Sequence, residues 1–201
     1  MRNWGMVINE GKTPPVISGI YNFTRNVCVF DNSGYNQTGD YFADYRYRFH
    51  DQNNEKLTIS LDYKALNAPD TASGIGSFLA GNNNLFTVFV NVSGVQAGIT
   101  YKQIGFYSGR KTETGIENFQ TGFYFTEKGP DPDNTLVKVG SSRIFNDEDE
   151  FSDINAVYRG IRNKRTLGEV NELKRALFII KLNIKCFKLF PISLVKLLYI
   201  Y

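Results

Sequence analysis

The chain has 201 residues, 42% of them hydrophobic and 14% aromatic, which fits one domain with an appendage and excludes wholesale disorder. Residues 161–201 hold 9 basic and 2 acidic residues (+7), whereas the 14 basic and 18 acidic residues before them give −4. A single histidine and two distant cysteines exclude a His-rich metal site and a disulfide framework.

Residues 1–15 are predicted to be a polar N-terminal arm that ends at Pro14 and Pro15. The first eleven residues lack an apolar run of about 7–15 residues, so no signal peptide is predicted. The composition of the following segment nevertheless favours the cell surface or the periplasm as the location of the protein.

Residues 16–150 are predicted to form a β domain. The clearest strand is Tyr41–Phe49, where tyrosines and Phe49 alternate with polar residues. Asp51–Glu55 is a polar turn, and Lys56–Tyr63 alternates again. These two runs therefore predict a β-hairpin.

Further strands follow, separated by turn-forming residues at 67–71, 81–84 and 129–134. Leu85–Val92 is apolar at nearly every position, which predicts a central strand covered on both faces. The later predicted strands are Thr100–Tyr107, Phe119–Glu127, Leu136–Val139 and Arg143–Phe145. Many short strands without a helical period indicate an all-β fold, an antiparallel sandwich or barrel, with a C-terminal α-helical appendage.

The appendage is predicted from a change of pattern after a linker over residues 151–165. Thr166–Glu169 has the form of a helix capping box, and an apolar stripe with helical spacing follows it. Residues 166–201 are thus a basic, apolar helical tail, and residues 176–201 are expected to be dispensable for the β domain. Four lysines on one narrow stripe are predicted to contact a membrane surface or a partner: Lys174, Lys181, Lys185 and Lys188.

Three interpretations of the tail remain open. Lysines near the middle of the stripe make a bilayer-spanning helix unfavourable, but an interfacial helix or a helix packed on a protein surface fits the pattern. Of residues 176–201, 21 are Ile, Leu, Lys, Phe, Tyr or Asn, which is also typical of translated AT-rich non-coding DNA.

The candidate ligand-binding residues are tyrosines near the ends of predicted strands, because tyrosine offers a rigid amphipathic contact surface. They are Tyr21, Tyr35, Tyr101, Tyr107 and Tyr124. The candidate metal ligands are Asp147, Asp149 and Asp153, whose oxygens suit calcium although the segment lacks the pattern of an EF-hand loop. No other cofactor is expected.

The composition favours a non-enzymatic binding or surface-structural domain that contacts a glycan or protein through exposed aromatic residues and Asn-rich loops. One alternative is a lipocalin-like barrel that binds an apolar small ligand. Another is a hydrolase with dispersed carboxylates, since the spacing of such carboxylates is spatial. No nucleic-acid partner is predicted.

Three segments carry a resemblance to a known class of domain: Ser18–Tyr21, Gly74–Asn83, and Gly115–Asn118 leading to Arg143–Asp147. Through them, residues 16–149 resemble β-rich domains of bacterial cell-surface lipoproteins. The resemblance implies a β-rich fold at the cell surface and assigns no functional residue.

Overall fold

The computed structural model describes residues 1–154, which form a predominantly β protein. A short 3-10 helix, Arg2–Trp4, precedes the strands. The strands are β1 (Lys12–Thr13), β2 (Gly19–Phe23), β3 (Asn26–Asp31), β4 (Tyr45–Asn53), β5 (Thr58–Ala65), β6 (Asp70–Asn82), β7 (Leu85–Gln96), β8 (Ile99–Lys111), β9 (Gly115–Lys128), β10 (Ser142–Asp147) and β11 (Phe151–Asp153). Residues 1–154 contain no helix that is long and apolar enough to cross a membrane.

One continuous sheet contains all the strands and curls into a small barrel. Its order is β2-β4-β5-β6-β7-β8-β9-β10-β3, with antiparallel neighbours throughout, and β1 pairs in parallel with β6. The short strand β11 pairs with the first part of β9, and Ile154 forms a bridge to Tyr21 of β2. The path β2 to β9 is therefore closed through β11, which confirms the predicted antiparallel β fold.

The predicted hairpin is present as β4 and β5. Tyr47 lies opposite Tyr63, and Phe49 lies opposite Leu61. All four side chains are buried. The alternating pattern had placed Tyr47 and Phe49 on one face of the strand, and that face is the buried one. The predicted start of the first strand at Tyr41 is wrong, because the strand begins at Tyr45 and Tyr41 forms only an isolated bridge to Val27.

Strand β7 is covered on both faces, as its continuous apolar sequence predicted. Phe86 and Val88 face the main core, whereas Phe89 packs on the opposite face against a second cluster that includes Met6. The N-terminal segment supplies this outer cover, and the backbone N–H of Asn9 donates to Thr87 Oγ1 at 2.8 Å. Residues 4–9 thus pack onto the outer face of the sheet, and Lys12–Thr13 pairs with the end of β6.

The main core is aromatic and fills one end of the barrel. Phe119 of β9 makes edge-to-face contacts with Phe23, Tyr47 and Phe49, with ring centroids 5.4 to 6.3 Å apart. Such edge-to-face pairs are the favoured geometry for aromatic rings. The interior around Phe119 is therefore packed with aromatic side chains.

Residues 136–139 do not form the predicted strand. The backbone N–H of Leu136 donates to Asp131 Oδ2 at 3.0 Å, so a side chain takes the bond that a neighbouring strand would need. The Leu136 side chain is buried against Tyr101 and Phe125. The predicted helical tail, including its four lysines, lies outside the described residues.

Candidate functional site

A cavity of about 360 Å³ opens at the end of the barrel opposite the packed aromatic core. Alternate residues of β4, β8 and β9 face into it, because side chains on a strand alternate between the two faces of the sheet. The residues that form its inner wall are Tyr45, Tyr47, Tyr63, Asp70, Tyr101, Gln103, Tyr107, Thr121, Phe123, Phe125 and Phe145. Tyr47, Tyr63 and Tyr107 also belong to the main core, so the core forms the floor of the cavity.

A hydrogen-bonded network centred on a buried carboxylate crosses this wall. Tyr101 donates to Asp70 Oδ1 at 2.7 Å, and Tyr45 donates to Asp70 Oδ2 at 2.8 Å. The Tyr63 and Tyr101 hydroxyls are 2.6 Å apart, and Gln103 Nε2 donates to the Tyr63 hydroxyl at 2.9 Å. Strands β4, β5, β6 and β8 therefore each contribute a side chain to one polar centre.

Burial governs the ionisation of this network. Loss of hydration raises the pKa of Asp70 above its usual value, and the hydroxyl groups of Tyr101 and Tyr45 oppose that rise by donating to the carboxylate. Burial also holds the pKa values of Tyr45, Tyr63 and Tyr101 well above the ordinary tyrosine value. The tyrosines therefore remain neutral hydrogen-bond donors at physiological pH.

A buried ion pair organises the mouth of the cavity. Arg143 Nε lies 2.5 Å from Asp31 Oδ2, and the guanidinium donates to Asn36 Oδ1 at 2.6 Å. The same guanidinium lies over the Phe42 ring at 5.0 Å. Arg143 of β10 thus holds the loop that follows β3 against β10, and the Asp31 carboxylate balances its charge.

Asn26 adds an unused acceptor to the cavity wall. Its side chain is 1% exposed and its Nδ2 donates to the carbonyl of Ala43. Its Oδ1 has no hydrogen-bond partner among the described residues. Buried polar atoms are usually paired, so this buried oxygen is an exception within the cavity wall.

The five predicted ligand-binding tyrosines are not all exposed. Tyr101 and Tyr107 line the cavity and are buried, and Tyr35 is exposed at its mouth. Tyr21 is buried in the core, where its hydroxyl donates to the carbonyl of Ile17 and burial raises its pKa to about 12. Tyr124 is exposed on the outer face of β9. The five do not form one exposed contact surface.

Of the residues that organise the cavity, Tyr101 was selected by sequence reasoning, whereas Asp70, Tyr45 and Tyr63 were not. Asp70 follows a proline in a segment that resembles a turn, and Tyr45 and Tyr63 resemble ordinary members of an alternating hairpin. The shared face of Tyr45 and Tyr47 was visible in the alternation. Their meeting with Asp70 depends on the pairing of distant strands, for which the sequence holds no local signal.

The three predicted calcium ligands lie at the β10–β11 turn. Asp147 is buried and accepts a hydrogen bond from Ser152 Oγ, whereas Asp153 is exposed. Residues 1–154 contain no group of three or more His, Cys, Asp or Glu side chains placed to hold a metal ion. The structure therefore does not bring Asp147, Asp149 and Asp153 together as a calcium site.

Asp147 is expected to make stability depend on pH. Burial, followed by the nearby Asp149, raises its pKa to about 7, and its Oδ1 has no partner among the described residues. A raised pKa means that the folded state binds the proton more tightly than the unfolded state, whose aspartate pKa is about 3.9. The resulting stability is complete below about pH 4 and is lost as the pH rises to about 7.

The substitution Asp147→Asn should remove this dependence. At pH 8 the variant should be more stable than the wild type by about 1–3 kcal/mol, and the difference should disappear near pH 4. Thermal unfolding from pH 4 to 8, with a chelator present, measures the effect. The exposed Asp153→Asn is the control, and identical pH profiles for wild type and Asp147→Asn would contradict the prediction.

Comparisons with known proteins add no relative: no protein family model, no curated protein and no solved structure matches the chain.

Proposed function

We propose that the barrel binds a small amphipathic molecule in the cavity at its open end. This proposal is nearest to one alternative from the sequence, a lipocalin-like barrel that binds a small ligand. Pockets for small molecules are typically about 300–1,000 Å³, with mainly apolar walls and a few convergent polar groups. The observation that carries the proposal is the convergence of Asp70 and its tyrosine partners on an aromatic cavity of about 360 Å³.

The energetics of the network support this proposal. A buried carboxylate lowers stability compared with an apolar residue of the same size, even when it accepts hydrogen bonds. The same end of the barrel has ample aromatic residues with which to pack a continuous core. A polar centre in that position is therefore better accounted for by ligand recognition than by stability.

The other two interpretations receive less support. Glycan or protein recognition through exposed tyrosines requires those tyrosines to be accessible. Three of the five, Tyr21, Tyr101 and Tyr107, are each less than 5% exposed. A hydrolase with paired carboxylates requires two carboxyl groups at one cleft. Among the described residues that line this cavity, Asp70 is the single carboxylate, so this cavity does not hold such a pair.

A substitution at the mouth of the cavity tests the proposal. Gln96 lines the cavity at the end of β7, whereas its neighbour Val95 is exposed and does not line it. Gln96→Trp should block entry, and Val95→Trp provides a matched control on the opposite face of the strand. The probe is the uncharged dye N-phenyl-1-naphthylamine, whose fluorescence rises in apolar sites.

The wild type and Val95→Trp should bind the dye with similar dissociation constants. Gln96→Trp should bind it at least about tenfold more weakly, a change of about 1.4 kcal/mol. Thermal unfolding of the three proteins shows whether each is folded. Equal binding by all three proteins, or absence of binding by the wild type, would contradict the proposal.

A further inference from the structure

Of the two charged side chains that line the cavity, one has a partner of opposite charge and the other does not. Asp70 and Arg143 are the charged side chains among the described lining residues. Arg143 has its own carboxylate partner in Asp31, whose side chain is 1% exposed. Asp70 has no salt bridge to any residue of the described chain, and its partners are the neutral hydroxyls of Tyr45 and Tyr101. The cavity therefore holds one carboxylate without a counter-charge.

The surroundings of Asp70 suit a cation. Tyr45 and Tyr63 meet edge to face with ring centroids 5.7 Å apart, and Tyr101 stacks on Phe125 at 5.6 Å. Aromatic faces attract cations, and a cage of such rings is the usual way in which proteins recognise ammonium groups. Desolvation inside a cavity strengthens this attraction compared with an exposed surface.

Asp70 also retains hydrogen-bonding capacity. A carboxylate has about four acceptor positions, and the two tyrosine hydroxyls occupy one on each oxygen. An ammonium group can therefore donate to Asp70 without displacing Tyr45 or Tyr101. A ligand carboxylate in the same place would be repelled by Asp70 and would meet aromatic faces of unfavourable sign.

We propose that the ligand of this cavity is an organic cation, whose ammonium group lies beside Asp70 within the tyrosine-lined wall. The inference rests on the proposed binding function and specifies its ligand class. Its apolar portion lies along the aromatic wall formed by Phe123 and Phe125, which the cavity also exposes.

Three probes of nearly equal size and shape test the ligand class. They are 2-phenylethylammonium, 2-phenylethanol and phenylacetate, which carry positive, zero and negative charge at pH 7. Their dissociation constants are measured by titration calorimetry or by ligand-observed NMR. The wild type should bind the ammonium about tenfold or more tightly than the alcohol, and phenylacetate should bind most weakly.

Substitution of the carboxylate shows whether the preference arises at the cavity. Asp70→Asn should reduce the ratio between ammonium and alcohol to about one, while binding of the alcohol changes little. Asp133→Asn is the matched control, because it removes the same charge from an exposed position in the loop between β9 and β10. It should leave the ratio unchanged, since exposed charges are strongly screened.

The outcomes separate this inference from the proposed function. Binding of the alcohol as tight as that of the ammonium would overturn the ligand class and leave the cavity as a binding site. Tighter binding of phenylacetate would also overturn it and would assign recognition to Arg143. Absence of binding by all three probes overturns the inference, and the dye experiment then decides the proposed function separately. The wild-type ratios decide the ligand class even if Asp70→Asn fails to fold.

Discussion

Replacement of Phe119 by alanine is expected to destabilise the protein by about 3–5 kcal/mol, the usual cost of removing a large aromatic side chain from a core. Phe119 is fully buried and contacts rings from β2, β4 and β7. Its removal leaves a cavity where the two sides of the barrel meet. For a protein of this size, each kcal/mol lowers the melting temperature by about 2–4 °C.

The control for Phe119→Ala is Tyr124→Ala on the same strand. Tyr124 is 39% exposed and faces outwards, so its truncation should cost less than about 1 kcal/mol. Urea unfolding measures both free energies of unfolding under the same conditions. Equal losses in the two variants would show that Phe119 is not part of a tightly packed core.

Replacement of Arg143 by methionine is expected to cost about 3–5 kcal/mol, because it leaves the buried Asp31 carboxylate without a counter-charge. The same change releases the loop that contains Asn36 from β10. The free energy of unfolding, measured in urea, gives the size of the effect.

A double-mutant cycle distinguishes the ion pair from simple loss of side-chain packing. In the background of Asp31→Asn, the change Arg143→Met should cost much less than it does in the wild type, since no charge is left unpaired. Strictly additive losses in the double variant would mean that the two side chains contribute independently of their charges.

The strands of the protein were predictable where the local pattern carried the information. The alternation of Tyr45, Tyr47 and Phe49 predicted the face that is buried, and the continuous apolar sequence of β7 predicted cover on both faces. The N-terminal segment that covers the outer face of β7 was predicted only as a polar arm. Its apolar residues Trp4, Met6 and Ile8 form too short a pattern to indicate a strand or a helix. Conversely, Leu136 resembled the start of a strand, but Asp131 takes its backbone N–H.

The candidate site was less accessible to sequence reasoning than the fold. Asp70 and Tyr101 are 31 residues apart, and Gln103 and Tyr63 are 40 residues apart. Their contact depends on the register of β5 to β8 and on closure of the barrel, which are properties of the whole sheet. Tyr101 and Tyr107 were predicted as ligand-binding residues because they are tyrosines. Asp70, the carboxylate to which Tyr101 donates, was not predicted.

Closure of the barrel by β11 has a consequence for the order of events during synthesis. Tyr21 and Ile154 are 133 positions apart, so their bridge forms late, and the outer edge of β2 has no partner until nearly the whole β region has left the ribosome. Contacts between such distant residues slow folding, because the chain loses much entropy before they form. An unpaired strand edge in a nascent chain is also a site for aggregation. We therefore expect the yield of native protein to be sensitive to changes in Phe151–Asp153, a three-residue strand that contributes little to the core.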